Sequence, residues 1–435
     1  MNKALGYDRK KLWNHWINHG IKEGRTYNNS INIKTVNPKN SFRIFIQSHD
    51  QSSYDESLLH FSKYNWAYPV LVQGADTNNI IQENKFFIEF QKHVQEKDYK
   101  DYDFIGFMAY SAHKKIKIDM TKVDLSNGFY HFGATKQRIC GSHVDTVPHM
   151  SEIWNDIFGD LGKSEDAFEN CFNYWIMRKD IFLSYQLYLQ FMIPKLLQHP
   201  LVMTRTNYAN SNTNIEKLTG LNYFTYVPFV LERVPLNWFN MYRKKYFLSE
   251  FVDNLYTDKN TSHSYLNLYT QILSDKKHSA KKILEIGIGD FGPKNGGSIK
   301  LWRDYFDSAT IYGVDILGPD RVIDSLLSDQ RIVLHTKCDA YDENFVKNNF
   351  SAMKFDVLLD AGPHTLDSMK KFIRLYSPLI AIYGILIIED VPNMSWIYEL
   401  SNVVDEDLKK FIKVYDLRQN KGRFDDIVFT LQTSI

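Results

Sequence analysis

The segment LEIGIGDFGPKNGGS, residues 284–298, restricts the fold of this chain more than any other feature. It contains five glycines, one near the end of a stretch, Ile283–Ile288, that reads as a buried strand, and four after that stretch. Glycine lets a backbone turn sharply and approach a ligand without a side-chain clash. Ser298 is a good N-cap residue and predicts the start of the next helix, whose N–H groups would face an anionic group. The segment therefore predicts a strand, a ligand-binding turn and a helix.

Strand and helix patterns alternate through the rest of this region. Five strands are predicted in parallel, at Ile283–Ile288, Thr310–Asp315, Ile332–Thr336, Phe355–Asp360 and Gly384–Glu389. Two more, Phe411–Leu417 and Asp426–Gln432, are separated by a turn at residues 420–422. So short a connection joins antiparallel neighbours, because a parallel pair needs a long crossover. Residues 281–435 are thus predicted to form a Rossmann-like, seven-stranded domain of the class I methyltransferase type, whose cofactor is S-adenosylmethionine.

The residues predicted to bind the cofactor lie at the ends of the strands or just after them. Gly287 and Gly289 would form the turn against the cofactor, and Ser298 would begin the helix facing its methionine carboxylate. Asp315 ends the second strand, where a carboxylate can accept hydrogen bonds from both ribose hydroxyls. Asp339, just past the third strand, is placed to reach the adenine edge.

A dinucleotide site is the competing interpretation. Gly287, Gly289 and Gly292 match the pattern G-x-G-x-x-G, with Asp315 as the distal acid, which would suit a nicotinamide or flavin cofactor. Three features favour S-adenosylmethionine: Glu285 lies two residues before the first glycine, the loop continues past Gly292, and a hairpin ends the domain. A degenerate domain without cofactor remains the third alternative.

Polar side chains follow the fourth and fifth strands of the predicted sheet. Asp360 and His364 belong to the run DAGPH, and Glu389 and Asp390 follow the fifth strand. Ligands of open α/β sheets bind at the carboxyl ends of the strands, so these four side chains should converge on the cofactor sulfonium. A single histidine at such a place can equally be a capping or loop residue.

The runs LEIGIGDFG, GGSIKLWRDYFDSATIYGVDI, DAGPH and IIEDV resemble the macrocin-type O-methyltransferases that modify sugars on antibiotics. They are also similar to methyltransferase modules of polysaccharide-decorating proteins in bacteria and large DNA viruses. The resemblance covers about residues 281–390. It implies a divalent cation, usually Mg²⁺, held by Glu389 and Asp390, and His364 as the base that deprotonates a sugar hydroxyl.

One position departs from that family. Its usual run is D-D-G-S-H, whose second acid supplies a metal ligand, and Ala361 stands there in this chain. Three alternatives follow: Asp360 substitutes as metal ligand and catalytic acid, the site binds metal weakly, or His364 works without a metal.

The N-terminal region begins with a β-α-β pattern. Strands are predicted at Phe42–Gln47, Tyr68–Gln73 and Phe104–Tyr110, and helices at Tyr54–Tyr64 and Gln82–Glu96. Glu165–Leu197 reads as helical and aromatic, and Thr225–Leu231 as extended. The alternation predicts an open parallel sheet covered by helices, an α/β structure.

This region, about Phe42–Tyr242, resembles small GT-A-type glycosyltransferases of surface-glycan pathways. The resemblance implies a nucleotide-sugar donor and a glycan acceptor. A D-x-D metal motif is missing; Asp145 is the nearest candidate for it, and Glu232 or the acids at 166 and 169 are candidates for the base of an inverting transfer. Each of these can also be an ordinary surface or capping acid. Tyr174, Trp175, Tyr185 and Tyr188 would form a sugar platform or, with this spacing, part of the core.

Length and composition limit the number of domains and the classes of function. The chain has 435 residues, which argues for two or three domains. We expect an N-terminal extension over 1–40, a glycosyltransferase-like α/β domain over 41–245, a helical connection over 246–280 and the methyltransferase over 281–435. A formal net charge of +1 gives no electrostatic support for nucleic acid. Three scattered cysteines indicate a reducing compartment, and no apolar span or signal segment is predicted, so we expect a soluble protein of the bacterial or infected-host cytoplasm.

Three hypotheses for function remain. The first is a bifunctional enzyme that transfers a sugar with its N-terminal domain and methylates a sugar hydroxyl with its C-terminal domain. The second keeps the methyltransferase and makes the N-terminal half a non-catalytic acceptor-binding module. The third, an RNA or cap methyltransferase, predicts salt-sensitive RNA binding and is disfavoured by the near-neutral charge.

Overall fold

The computed structural model of the chain describes residues 41–72, 80–81, 83–132, 149–162, 173–204, 207–210, 223–289 and 292–433. These residues fall into two compact units, one within residues 41–245 and the other within 246–433. Each unit is an α/β structure with its own sheet.

The N-terminal unit is built on a five-stranded sheet of order β2-β1-β3-β5-β4. Its strands are β1 (Phe42–Ser48), β2 (Ala67–Leu71), β3 (Phe104–Ala109), β4 (Phe129–His131) and β5 (Trp175–Arg178). β1 lies parallel to β2 and β3, whereas β5 is antiparallel to β3 and β4. A separate antiparallel pair joins β6 (Asn207–Asn210) to β7 (Tyr223–Thr225). The predicted parallel β-α-β start is therefore confirmed, but the sheet as a whole is mixed and not parallel, because β5 runs antiparallel to both of its neighbours.

Nine helices are described in this part of the chain. They are α1 (Gln51–Phe61), α2 (Glu83–Ile88), α3 (Phe90–His93), α4 (Ala112–Lys115), α5 (Met150–Phe158), α6 (Lys179–Leu197), α7 (Pro200–Met203), α8 (Val227–Leu231) and α9 (Val234–Tyr246). Asp50 caps α1, because its Oδ1 accepts the backbone N–H of Ser53 at 2.7 Å.

Three sequence predictions for this unit were wrong in detail. The stretch predicted as a helix over 165–197 contains β5, a buried strand that pairs on both sides. Its apolar residues fit a buried strand as well as a core helix, so periodicity alone does not separate the two. The stretch predicted as extended, Thr225–Leu231, is mostly helix α8, which has a proline in its first turn. The single helix predicted over 82–96 is divided at Glu89.

The C-terminal unit is built on a seven-stranded sheet of order β10-β9-β8-β11-β12-β14-β13. Its strands are β8 (Lys282–Ile286), β9 (Thr310–Asp315), β10 (Ile332–Thr336), β11 (Phe355–Asp360), β12 (Ile380–Ile388), β13 (Ile412–Asp416) and β14 (Ile427–Gln432). The first five in chain order are parallel. β14 runs antiparallel to both β12 and β13. Both the parallel core and the terminal antiparallel pair are confirmed.

Helices cover both faces of this sheet. They are α10 (Tyr265–Leu273), α11 (Gly297–Tyr305), α12 (Asp324–Leu327), α13 (Glu343–Phe350), α14 (Leu366–Tyr376), α15 (Met394–Ser401) and α16 (Arg418–Lys421). One apolar core joins α13, α14 and α15 to one face, and another joins α10 and α11 to the opposite face. Alternate residues of β11 serve the two cores: Leu358 packs in the first and Leu359 in the second.

Residues 246–280, which we expected as a helical connection, fold into this unit. Tyr265 and Tyr269 of α10 are buried in the same core as Ile299 and Trp302 of α11. The segment therefore lies over the sheet, and it supplies side chains to the polar cluster described below.

Candidate functional site

The glycine-rich loop passes close to the end of β11. Gly287 has φ of +90°, and a Cβ atom at this position would lie 2.2 Å from the carbonyl oxygen of Ala361. The backbone N–H of Ala361 in turn donates to the carbonyl of Ile286 at 2.9 Å. Gly289 also has positive φ, +118°. Only glycine is suited to position 287, since any side chain would clash with the backbone of Ala361 and strain the backbone of its own residue.

Helix α11 starts at Gly297, two residues earlier than an N-cap at Ser298 would place it. Gly296, with φ of +114°, is its N-cap, and the N–H of Gly297 donates to the carbonyl of Tyr256 at 3.2 Å. Ser298 lies in the first turn, where its hydroxyl is hydrogen-bonded to Glu285. The predicted N-cap role of Ser298 is thus wrong, because the glycine at 296 adopts the required backbone and the serine side chain turns to a buried carboxylate.

Asp315 is tied to the glycine-rich loop. Its Oδ2 accepts the N–H of Ile288 at 2.6 Å, and its Oδ1 accepts the N–H of Leu317 at 2.8 Å. Asp339 is exposed after β10 and accepts the N–H of Tyr341 at 2.8 Å. Both acids stand at the carboxyl edge of the sheet, and their contacts with ribose and adenine remain predictions.

Asp360, the last residue of β11, is buried. Its Oδ1 accepts the hydroxyl of Tyr341 at 2.6 Å and the N–H of Gly362 at 3.2 Å. Burial raises the pKa of Asp360 to about 6, although both hydrogen bonds oppose the shift. Its carboxylate is therefore committed to β11 and to Tyr341.

His364 and Asp390 face each other across the ends of β11 and β12. His364 Nε2 lies 3.5 Å from Asp390 Oδ2, and both residues have φ of +52°. Left-handed backbone is uncommon for residues other than glycine and concentrates at functional sites. Partial desolvation lowers the pKa of His364 below its usual value, with Asp390 opposing, although 38% of the side chain is exposed. The imidazole is consequently neutral near pH 7 and can accept a proton.

A buried ammonium joins two of the predicted acids. Lys259 Nζ forms an ion pair with Glu389 Oε2 and lies 3.3 Å from Glu285 Oε1. All three side chains are at most 6% exposed. The remaining carboxylate oxygens are also engaged: Glu285 Oε2 accepts Trp302 Nε1–H at 2.7 Å, and Glu389 Oε1 accepts the Tyr269 hydroxyl at 2.6 Å.

The electrostatics of this trio follow from its burial. Burial disfavours the cation of Lys259, but Glu389 and Glu285 overcome it and hold its pKa above the usual range. Burial raises the pKa of Glu389 to about 7 and also raises that of Glu285, with Lys259 opposing both shifts. The charge of the two acids is thus partly balanced inside the protein by its own lysine.

A second network surrounds Asp390. Its Oδ1 accepts the Tyr265 hydroxyl at 2.7 Å and lies 3.2 Å from His263 Nδ1. His263 Nδ1 is also 2.6 Å from Asp426 Oδ1, and its Nε2 is 3.4 Å from Asp258 Oδ2. Burial opposes protonation of His263, but hydrogen bonds with Asp258 and Asp426 raise its pKa to about 10. Asp390 therefore sits between an imidazolium and the neutral His364.

The three predicted metal ligands are not brought together. Asp360, Glu389 and Asp390 each have a different set of partners, as given above. Among the described residues, trios of His, Cys, Asp or Glu with ligand atoms within 4.8 Å of one another are found at Glu56, His60 and His113, and at His263, Asp425 and Asp426. Ala361 offers no ligand atom, both oxygens of Glu389 are engaged by Lys259 and Tyr269, and Asp390 Oδ1 accepts the Tyr265 hydroxyl, so the predicted set of Asp360, Glu389 and Asp390 does not fit a divalent cation as arranged.

The sequence interpretation missed the contribution of the segment before β8. Lys259, His263, Tyr265 and Tyr269 come from residues that looked like a polar linker, and Asp426 immediately precedes the last strand. The available signal was a basic and an imidazole side chain in a polar stretch, DKNTSHS, flanked by aromatic residues. Nothing in that spacing indicated that it would lie against strand ends more than a hundred residues later.

In the N-terminal unit, Glu232 follows α8 and is mostly buried. Burial raises its pKa to about 8, with Glu83 adding to the shift and Arg233 opposing it. The same two glutamates also raise the pKa of the buried Tyr174. Asp145 and the acids at 166 and 169 lie outside the described residues.

The aromatic residues predicted as a sugar platform are mostly part of the core. Tyr174, Trp175 and Tyr185 are at most 2% exposed, whereas Tyr188 is partly exposed.

Strand order, the glycine-rich turn and polar strand ends together define the C-terminal unit as a Rossmann-like methyltransferase fold.

No family model matches the chain. In sequence it is similar to the 8-demethyl-8-(2-methoxy-alpha-L-rhamnosyl)-tetracenomycin-C 3'-O-methyltransferase of Streptomyces olivaceus, with 30% identity over 133 residues. It is also similar to the L-olivosyl-oleandolide 3-O-methyltransferase of Streptomyces antibioticus, with 28% identity over 137 residues.

The alignments cover 30% and 31% of this chain and 32% and 34% of those relatives, so the chain spans about a third of their length. Among solved structures, the MycE methyltransferase of the mycinamycin pathway, in complex with Mg and SAH, is 22% identical. That comparison covers 45% of this chain and 44% of the other, with a TM-score of 0.31. Sequence similarity thus links this chain to sugar O-methyltransferases of the macrocin type.

No helix in the described part of the chain combines the length and the apolar character needed to cross a membrane.

Proposed function

We propose that the C-terminal unit binds S-adenosylmethionine and transfers its methyl group to a sugar hydroxyl, with His364 as the general base. The observation that carries this proposal is the imidazole of His364, which lies 3.5 Å from Asp390 at the carboxyl edge of a methyltransferase sheet. The glycine-rich turn at Gly287 and the acid at Asp315 are the cofactor-binding elements at the same edge. The relatives whose names specify O-methylation of rhamnosyl and olivosyl compounds support a sugar as acceptor.

The reaction needs one proton acceptor and one electrophile. A ring nitrogen of His364 takes the proton of the acceptor hydroxyl while the oxygen attacks the methyl carbon and the sulfur–carbon bond breaks. Asp390 then stabilises the imidazolium, because an adjacent carboxylate favours the charged form. A base placed in this way typically contributes about 100- to 10,000-fold to the rate.

Titration of the purified chain with S-adenosylhomocysteine, followed by calorimetry, tests the cofactor. We expect saturable binding with one site per chain. The absence of binding, both with Mg²⁺ and without it, would refute the proposal. Turnover is then followed with radiolabelled S-adenosylmethionine and a panel of glycosides with free hydroxyls, on which the proposal expects labelled sugar ether.

We further propose that the N-terminal unit transfers a sugar from a nucleotide donor, with Glu232 as the base. The specific observation in favour is the pKa of about 8 for Glu232, because a base poised near neutral pH is what such a step needs. Glu83 adds to the raised pKa of Glu232, and both glutamates add to the raised pKa of the buried Tyr174.

Titration with UDP- and GDP-sugars separates the alternatives for this unit. Binding that does not compete with S-adenosylhomocysteine, and donor hydrolysis that Glu232→Gln abolishes, would support sugar transfer. If no donor binds, the unit is an acceptor-binding module. Salt-sensitive binding of RNA instead would favour an RNA methyltransferase.

A further inference from the structure

We propose that the ammonium of Lys259 is the fixed cation of the methyltransferase site and that Asp360, Glu389 and Asp390 hold no divalent metal. The inference rests on the proposed methyltransferase function and deepens it, since it says which positive charge balances the acids at the strand ends. It departs from the expectation of Mg²⁺ drawn from family resemblance.

The first support is that one metal-ligating acid of the resembling family is missing from this chain. Ala361 stands where the resembling family has its second acid, and its methyl group has no lone pair. Asp360, one residue earlier, has its Oδ1 engaged by Tyr341 and Gly362, and among the described residues it joins no trio of ligand atoms within 4.8 Å of one another.

The second support is that the carboxylates of the remaining two acids already have partners within the protein. Glu389 is bound through one oxygen to Lys259 and through the other to Tyr269. Asp390 is engaged by Tyr265, His263 and His364. Divalent cations such as Mg²⁺ require several free oxygen ligands at about 2.1 Å in octahedral geometry. These carboxylates would have to give up their present partners to supply them.

The third support is the position of the lysine itself. Its Nζ bridges an acid of the first strand, Glu285, and an acid beyond the fifth, Glu389, with all three side chains buried. A divalent ion bound to Glu389 would lie beside this ammonium, and like charges at such a distance repel strongly in a buried site. The lysine is part of the chain, so its charge is present whatever the metal concentration.

The chemistry balances without a metal. The acceptor proton passes to His364, the oxygen–carbon bond forms, and the sulfur–carbon bond breaks, which leaves a neutral thioether and an imidazolium beside Asp390. Lys259 is a positioning residue in this scheme: it keeps Glu285 and Glu389 in place at the glycine-rich turn and does not touch the reacting atoms.

The test uses Mn²⁺ as a spectroscopic substitute for Mg²⁺, because it prefers the same oxygen ligands. Binding of Mn²⁺ to the full chain is followed by electron paramagnetic resonance, in parallel for the wild type and for Glu389→Gln. We expect no Mn²⁺ site that depends on Glu389, and an affinity for S-adenosylhomocysteine in excess EDTA within about twofold of that in Mg²⁺. Saturable Mn²⁺ binding that Glu389→Gln removes would overturn the proposal, as would loss of S-adenosylhomocysteine binding in EDTA that Mg²⁺ restores.

A double variant provides the positive counterpart. Lys259→Met together with Ala361→Asp removes the ammonium and restores the missing acid, and we expect it to gain a Mn²⁺ site that the wild type lacks. Lys371→Met, which removes an exposed lysine paired with Asp367, is the matched control. The wild-type titration remains decisive even if the double variant does not fold. Because Mn²⁺ binding requires no cofactor, it also separates failure of this inference from failure of the methyltransferase proposal, for which S-adenosylhomocysteine would not bind under any condition.

Discussion

His364 Nε2 lies 3.5 Å from Asp390 Oδ2, and each of these two residues has a left-handed backbone with φ of +52°. Such backbone costs about 1–3 kcal/mol at a residue other than glycine, and it persists only where the surrounding structure imposes it. Two neighbouring strand ends thus accept strain to bring a base and a carboxylate together. That pairing is the basis of the first prediction.

Replacing His364 with alanine should lower kcat by about 100-fold or more, because the proton acceptor is lost. The affinity for S-adenosylhomocysteine should stay within about twofold, since the glycine-rich turn and Asp315 are unchanged. Steady-state kinetics and calorimetry measure the two effects. His278→Ala, which removes an exposed histidine paired with Asp307, is the control and should behave like the wild type. Full activity in His364→Ala would mean that His364 is structural.

Lys259→Met should destabilise the C-terminal unit by about 3–5 kcal/mol, because it leaves Glu285 and Glu389 buried without their shared partner. Methionine has a similar length and removes the charge alone. Chemical denaturation followed by circular dichroism measures the loss. Lys371→Met, at an exposed ion pair, should change stability by less than about 1 kcal/mol. Equal stability of the two variants would contradict a buried ion-pair network.

Asp315→Asn should weaken binding of S-adenosylhomocysteine by about tenfold or more, roughly the cost of a charge-assisted hydrogen bond. The carboxylate that accepts the N–H of Ile288 and would accept the ribose hydroxyls becomes a poorer acceptor. Calorimetric titration measures the affinity. Asp324→Asn, in an exposed ion pair with Lys294, is the matched control. An unchanged affinity in Asp315→Asn would remove Asp315 from the cofactor site.

Glu232→Gln should make the N-terminal unit more stable than the wild type at high pH. A carboxyl group whose pKa is raised on folding, here to about 8, binds a proton in the folded state that the unfolded state has released. Wild-type stability therefore falls as the pH rises from about 4.5 to 8, and the glutamine variant escapes this loss, by roughly 2–4 kcal/mol at pH 9. Denaturation at a series of pH values measures the difference, with the exposed Glu96→Gln as control. Parallel pH profiles for wild type and Glu232→Gln would show that Glu232 is not shifted.

Gly287→Ala should destabilise the C-terminal unit and weaken cofactor binding more than Gly292→Ala does. Both glycines have positive φ, so both variants carry backbone strain of about 1–2 kcal/mol. At Gly287 the added methyl group would also lie 2.2 Å from the carbonyl oxygen of Ala361, whereas at Gly292 no described atom is within 4 Å. Denaturation and calorimetry compare the two variants. Equal effects of the two substitutions would mean that residue 287 and the carbonyl oxygen of Ala361 do not lie close together.

Much of the C-terminal fold could be predicted from the sequence. Alternating apolar strands, the glycines at 287 and 289 and the short turn before the last strand gave the seven strands and their directions, because these features are local. The same local logic placed Asp315, Asp360, His364, Glu389 and Asp390 at the carboxyl edge of the sheet. It failed at β5 in the N-terminal unit, where an apolar stretch fits a buried strand and a core helix equally well.

What the sequence by itself determined, then, is the sheet, the glycine-rich turn and the edge at which the polar side chains stand. Only the tertiary structure decided which of those side chains meet: it pairs His364 with Asp390, bonds Asp360 to Tyr341, and brings Lys259 between Glu285 and Glu389. The physical reason is that strand and turn signals act over a few residues. An ion pair between residues 130 positions apart depends instead on how a preceding helix packs over the sheet, and no local pattern encodes that.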